Sequence, residues 1–137
     1  MTGEKNKQTA LRFLELFGAY DPAVLDLLDD GVRMIVGTER TGRCPLAGIK
    51  DKKAIWESIE GFKVIMPEGI RFDIKGIVGD EYRVAVEVES YAKLLNGNKY
   101  TDLYQNVYHF LFKMTEDGKI QHITEFCDTY YATLLFT

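Results

Sequence analysis

Apolar residues recur at two spacings along this chain, helical in its first half and alternating in its second. Ala10, Phe13, Leu14 and Phe17 fall on one helical face, which predicts an amphipathic helix over roughly Lys5 to Ala19. Asp21-Pro22 reads as the start of a short second helix reaching Leu28. The Asp side chain accepts an amide at the N-cap, and Pro in the next position has no N–H to leave unsatisfied. Asp29-Asp30-Gly31 is read as the end of that helix, Val32 to Val36 as a short strand, and Gly37 to Ile49 as a loop. Asp51 can cap a third helix, with Ile55, Ile59 and Phe62 as its apolar stripe and Trp56 beside it.

From Ile70 the period becomes two. Strands are predicted over Ile70 to Val78, Tyr82 to Leu94, Tyr100 to Met114 and Lys119 to about Tyr131. Gly79-Asp80-Glu81, Asn96-Gly97-Asn98 and Glu116-Asp117-Gly118-Lys119 supply the turns between them. Helices followed by a meander predict an α+β architecture, a curved antiparallel sheet with helices on its concave face. Tyr104, Asn106, Tyr108, Phe110 and Phe112 share one strand face and read as the wall of a small-molecule pocket. Glu125 lies on the adjacent strand among apolar neighbours, a candidate acid or base. Its surroundings should disfavour the charged form and raise its pKa towards neutrality.

One strand admits two readings. Binary patterning puts Val84, Val86 and Val88 in the core and Glu87 and Glu89 in water. The opposite placement puts Glu87, Glu89 and Tyr91 in the cavity, and the valine face must then be covered by another copy of the chain.

Composition narrows the function classes. A chain of 137 residues supports one good core, so residues 1–137 are read as a single domain. A net charge of −4, with lysines and arginines scattered, argues against a nucleic-acid or anionic-membrane partner. Cys44 and Cys127 have no metal-type spacing and are read as reduced thiols. With no apolar leader and no membrane-length apolar run, the expected location is cytoplasmic. His109 and His122 have the parity of the outer face. Glu87, Glu89 and Glu125 are joined by no histidine, so no metal is expected. No phosphate loop is present either, and no cofactor is expected.

Tyr104-Gln-Asn-Val-Tyr-His-Phe-Leu-Phe, Asp117-Gly-Lys-Ile and Thr124-Glu-Phe-Cys-Asp-Thr, set behind helices, resemble the SnoaL-like and ketosteroid-isomerase-like group. That group belongs to the nuclear transport factor two-like superfamily. The resemblance implies a cone-shaped α+β barrel, three N-terminal helices packed on a strongly curved antiparallel sheet around an apolar cavity. It also implies a homodimer through the outer sheet face, here including Val107, His109, Leu111 and His122. On that basis the strand conflict is resolved with Glu87 and Glu89 in the cavity.

The implied chemistry differs between members. The catalytic positions of ketosteroid isomerase correspond to Phe13, to Met34 or Ile35, and to Phe110, none of which exchanges a proton. The Asp-Arg-Asp set of limonene epoxide hydrolase falls on Glu89, Glu87 and Glu125, with a glutamate in place of the bridging arginine. The acid–base glutamate of the phenazine-biosynthesis members resembles Glu125 within Thr124-Glu125-Phe126, and their asparagine resembles Asn106. The expectation is a small apolar organic ligand and cofactor-free isomerisation, cyclisation or hydrolysis, with Glu125, Glu89 and Glu87 as catalytic groups. Asn106, Tyr108, Tyr104, Tyr91, Trp56, Phe110, Phe17 and Cys127 are the expected binding residues. The alternative is a carrier or sensor with the same cavity and no chemistry. A protein-binding adaptor is the third reading.

Overall fold

In a computed structural model, which describes residues 2–36, 48–97 and 101–133, helix α1 (Thr2–Gly18) buries the stripe Ala10, Phe13, Leu14 and Phe17. Asp21 accepts a hydrogen bond from the Ala23 amide at 2.9 Å and starts a 3-10 helix, Pro22–Leu27. Asp29-Asp30-Gly31 does not stop a helix. Strand β1 (Leu28–Val36) takes it in, with the Gly31 amide donating to the Asp29 carboxylate inside a register shift between Leu28 and Arg33. Such a bulge admits residues that an unbroken ladder would reject. Asp51 caps α2 (Lys52–Ile65) by accepting from the Ala54 amide at 2.9 Å, and Ile55 and Ile59 are fully buried beneath it. Most of the expected loop, Gly37 to Ala47 with Cys44, lies outside the described residues, as does Asn98 of the expected turn.

The remaining strands are β2 (Ile49–Lys50), β3 (Arg71–Gly79), β4 (Arg83–Lys93), β5 (Leu103–Met114) and β6 (Ile120–Cys127). They form one six-stranded curved sheet in the order β2-β1-β6-β5-β4-β3, closed by a short helix α3 (Thr129–Ala132). Four of its pairings are antiparallel, and β1 runs parallel to β6. The sheet is therefore mixed where sequence pattern suggested a purely antiparallel one. Parallel neighbours need a long crossover, and α2 with the meander supplies it. Helix α1 seats closely on β3: the Ile70 amide donates to the Gly18 carbonyl at 2.9 Å. A Cβ on Gly18 would stand 2.1 Å from the Ile70 oxygen, so only glycine permits this approach. Tyr20 ties the end of α1 to α2, donating to the Met66 carbonyl at 2.6 Å.

Strand β4 presents the face opposite to the one the resemblance implied. Val84, Val86 and Val88 are buried against the helices, paired with Phe112, Phe110 and Tyr108 of β5. Directly paired residues share a face, and an odd number of residues separates Lys93 from its partner Leu103. Even positions of β4 therefore meet even positions of β5. Glu87, Glu89 and Tyr91 belong to the outer face, which corrects their placement in the cavity. Glu87 is exposed beside His109, carboxylate to Nε2 3.5 Å. Glu89 accepts from the Tyr91 hydroxyl at 2.7 Å and faces Lys75.

Candidate functional site

The inner sheet face and helices α1 and α2 enclose a cavity whose wall is largely aromatic and aliphatic. The space open to the centres of water molecules is about 60 Å³. One water needs roughly 10–15 Å³ by that measure, so the cavity suits a few waters or a single ring. Phe13 and Phe17 of α1, Phe62 of α2, Phe72 of β3 and Phe110 of β5 supply the rings. Phe72 meets Tyr108 and Phe110 edge-on at 6.4 and 6.3 Å between centroids, an arrangement that fixes the wall.

Glu125 enters this cavity from the middle of the sheet. Its backbone pairs with Val36 on one side and Phe110 on the other, both of which also line the space. Burial pushes its pKa up to about 7, and the Lys50 ammonium pulls the other way. A carboxyl at that value both donates and accepts a proton near neutral pH. Tyr104 and Tyr108 face it from β5, their hydroxyls 3.1 Å apart. Burial holds Tyr108 well above the usual phenol range and Tyr104 at about 12, so both stay neutral. One proton of the two hydroxyls is used between them, leaving the other for a third group.

Of the residues expected at the site, Glu125, Tyr104, Tyr108, Phe110 and Phe17 line the cavity together. Asn106 stands one layer behind. Its amide donates to the Tyr104 hydroxyl at 2.8 Å and the Asp128 carbonyl at 3.1 Å. Its oxygen accepts from the Val107 and Asp128 amides, so its capacity is spent on holding Tyr104 and the end of β6. Cys127 shares the inner face but packs at the edge of the core. Trp56 also packs there, partly exposed, with the Lys63 ammonium 5.0 Å above its ring. Neither is among the lining residues. Glu87, Glu89 and Tyr91 are absent from the site for the reason given above, so no three-carboxylate cluster forms. Phe13, Met34 and Phe110 do reach the wall.

Two polar lining residues were not anticipated, Lys50 and Ser58. Lys50 sits between a glycine- and proline-containing run and a helix cap, where no periodicity marks a face. Only its pairing with Met34 turns it inward. Phe72 carried a signal, since Ile70, just before β3, and Phe72 alternate in step and both line the cavity.

The fold is that of the nuclear transport factor two-like proteins, a cone of helices and curved sheet around an interior space. PrhC from Penicillium brasilianum is similar at a TM-score of 0.82 and 21% identity, over 98% of this chain and 87% of that one. BvnE pinacolase from Penicillium brevicompactum is similar at 0.79 and 18%, over 95% of this chain and 87% of its own. An NTF2-like protein of unknown function from Burkholderia pseudomallei is similar at 0.77 and 20%, over 97% and 98%. No protein-family model and no curated protein matches the chain. At these identities the likeness establishes fold, and reaction has to be argued from the site. No described helix is long and apolar enough to cross a membrane.

Proposed function

We propose that this chain, as a single domain over residues 1–137, binds a small apolar organic molecule and moves a proton on it without a cofactor. The reaction class is isomerisation, cyclisation or hydrolysis, with Glu125 as acid and base. The observation that carries this reading is a carboxyl inside an aromatic cavity with its pKa pushed up to about 7 by burial. Glu125 is half-buried, no hydrogen bond from a described residue offsets its desolvation, and a carboxyl kept at such a cost is a mark of function. A remaining tyrosine proton beside it is placed to hold a carbonyl or hydroxyl oxygen of the ligand. That a pinacolase is built on the same fold supports an enzymatic reading.

A second reading has its own observation. Phe13, Met34 and Phe110 fill the wall where the resemblance to ketosteroid isomerase would require proton-exchanging groups. A carrier or sensor with the same cavity fits that wall. Native mass spectrometry after exposure to a metabolite extract separates the two. A captured ligand that changes in mass or chromatographic position with wild type, and not with Glu125→Gln, supports the enzyme. A ligand held unchanged by both supports the carrier. We place the protein in the cytoplasm, where the Cys127 thiol stays reduced, as a homodimer joined through the outer sheet face.

A further inference from the structure

Asn106 is buried, and the backbone around it fixes which end of its amide points where. Its oxygen accepts from the Val107 amide at 2.8 Å and from the Asp128 amide at 3.3 Å. Its nitrogen donates to the Asp128 carbonyl at 3.1 Å, a group that can only accept. The NH2 end therefore faces the Tyr104 hydroxyl, 2.8 Å away, and the phenol oxygen accepts from it. The Tyr104 proton has to leave in another direction. Among the described residues its one other partner is the Tyr108 hydroxyl at 3.1 Å. The bonds thus run one way, from Asn106 to Tyr104 to Tyr108, and the Tyr108 proton is left over.

No described residue takes up that last proton. Ser90 pairs with Asn106 across β4 and β5, and its buried Oγ has no hydrogen-bond partner among the described residues. Its effect on the Tyr108 phenol is that of a donor, opposing the upward push of burial. Glu125 acts on Tyr108 through its charge. The Tyr108 ring stacks on Phe110 at 5.5 Å and meets Phe72 edge-on, so it belongs to the cavity wall. The Tyr104 ring is instead covered by Tyr131, stacked on it at 5.3 Å.

We propose that Asn106 is a positioning residue that sets the direction of the tyrosine pair, so that Tyr108 presents the one free proton and the cavity takes a ring-sized ligand by an acceptor oxygen. The inference rests on the reading of this cavity as a ligand site, and it names the donor and the ligand group that fits it. A buried hydroxyl proton without an acceptor is costly, and a carbonyl or ether oxygen on the ligand relieves that cost. Each bond in the chain polarises the next, which makes Tyr108 a stronger donor than an isolated phenol. A group that can only donate meets the Tyr108 proton head-on and is disfavoured.

The test uses acetophenone and α-methylstyrene, which share a shape and differ in a carbonyl oxygen against a methylene. Binding of both to the full chain is followed by NMR, and the carbonyl stretch of bound, isotope-labelled acetophenone by infrared difference spectroscopy. In wild type the stretch should lie below its frequency in hexane, the mark of an accepted hydrogen bond. Tyr108→Phe should return it to the hexane value and weaken acetophenone by about tenfold. Tyr104→Phe should keep the lowered stretch. Asn106→Asp reverses the chain, because a carboxyl has at most one proton and the Asp128 carbonyl takes it. Tyr104 then donates to residue 106, and Tyr108 donates to Tyr104. This variant should lose the lowered stretch and about tenfold in acetophenone affinity, with α-methylstyrene within about twofold of wild type. Loss of the lowered stretch in Tyr104→Phe and its survival in Tyr108→Phe overturns the inference. So does an Asn106→Asp variant that weakens both probes alike with the stretch unmoved, which makes Asn106 structural only. Acetophenone bound to wild type at its hexane frequency also overturns it, and leaves the cavity as a ligand site. If neither probe binds, the ligand-site reading falls and this inference falls with it. Should Asn106→Asp fail to fold, the stretch in the two tyrosine variants decides the direction.

Discussion

Glu125 links the site to the stability of the fold. Its folded pKa of about 7 stands above the ordinary 4.5, so the folded protein holds this proton more tightly than the unfolded chain. The associated stability is present in full below the unfolded pKa, falls as pH rises towards 7, and is level above it. The loss amounts to about 2–3 kcal/mol, discounted for partial contact with solvent. Gln at this position is neutral throughout. Thermal melts should then show Glu125→Gln gaining on wild type as pH rises from about 5 to 8, by up to that amount. Turnover of a discovered substrate should fall by roughly 10²–10⁴-fold in the same variant. A Gln variant less stable than wild type at every pH, with ligand binding intact, would assign Glu125 a structural role.

At the scale of elements, the sheet parity is open to a paired measurement. Val86 is buried under the helices and Glu87 next to it is exposed. Val86→Ala should cost about 2 kcal/mol in denaturant unfolding, and Glu87→Ala no more than about 0.5 kcal/mol. The reverse order would restore the discarded placement. Helix–sheet seating has a test of its own: Gly18→Ala forces a methyl onto the Ile70 carbonyl and should destabilise by about 1–3 kcal/mol. The helical stripes of α1 and α2, the Asp caps of the 3-10 helix and of α2, and the β5–β6 hairpin were legible because local periodicity and capping chemistry decide them. The face of β4 was not decided by resemblance, since alternation fixes which residues go together and leaves open which side is inner. Valine patterning alone had it right. The site was half legible for the same reason: Glu125 and the β5 aromatics follow from alternation. Asn106 shares their face, but its hydrogen bonds set it behind the wall, and Lys50 owes its place to a two-residue strand with no pattern of its own.

For the whole molecule, the question is what covers the convex side of the sheet. Val107 and Phe126 stand there 57% and 52% exposed, Val107 two positions before His109 on β5 and Phe126 paired with His109 from β6, with Leu111 further along β5. No described helix packs on this face, because α1 and α2 occupy the inner one. Apolar side chains clustered at a sheet centre favour association, and a twofold interface would set each patch against its own copy. Wild type should sediment at micromolar concentration as about twice its chain mass of 15.7 kDa. A Val107→Glu, Phe126→Glu double variant places like charges across the twofold, which costs several kcal/mol of association. It should run as the single chain with its circular dichroism unchanged, since neither side chain belongs to the core. Wild type sedimenting as a single chain would remove the dimer, and the cavity, which lies wholly on the other side of the sheet, should then bind its ligand as before.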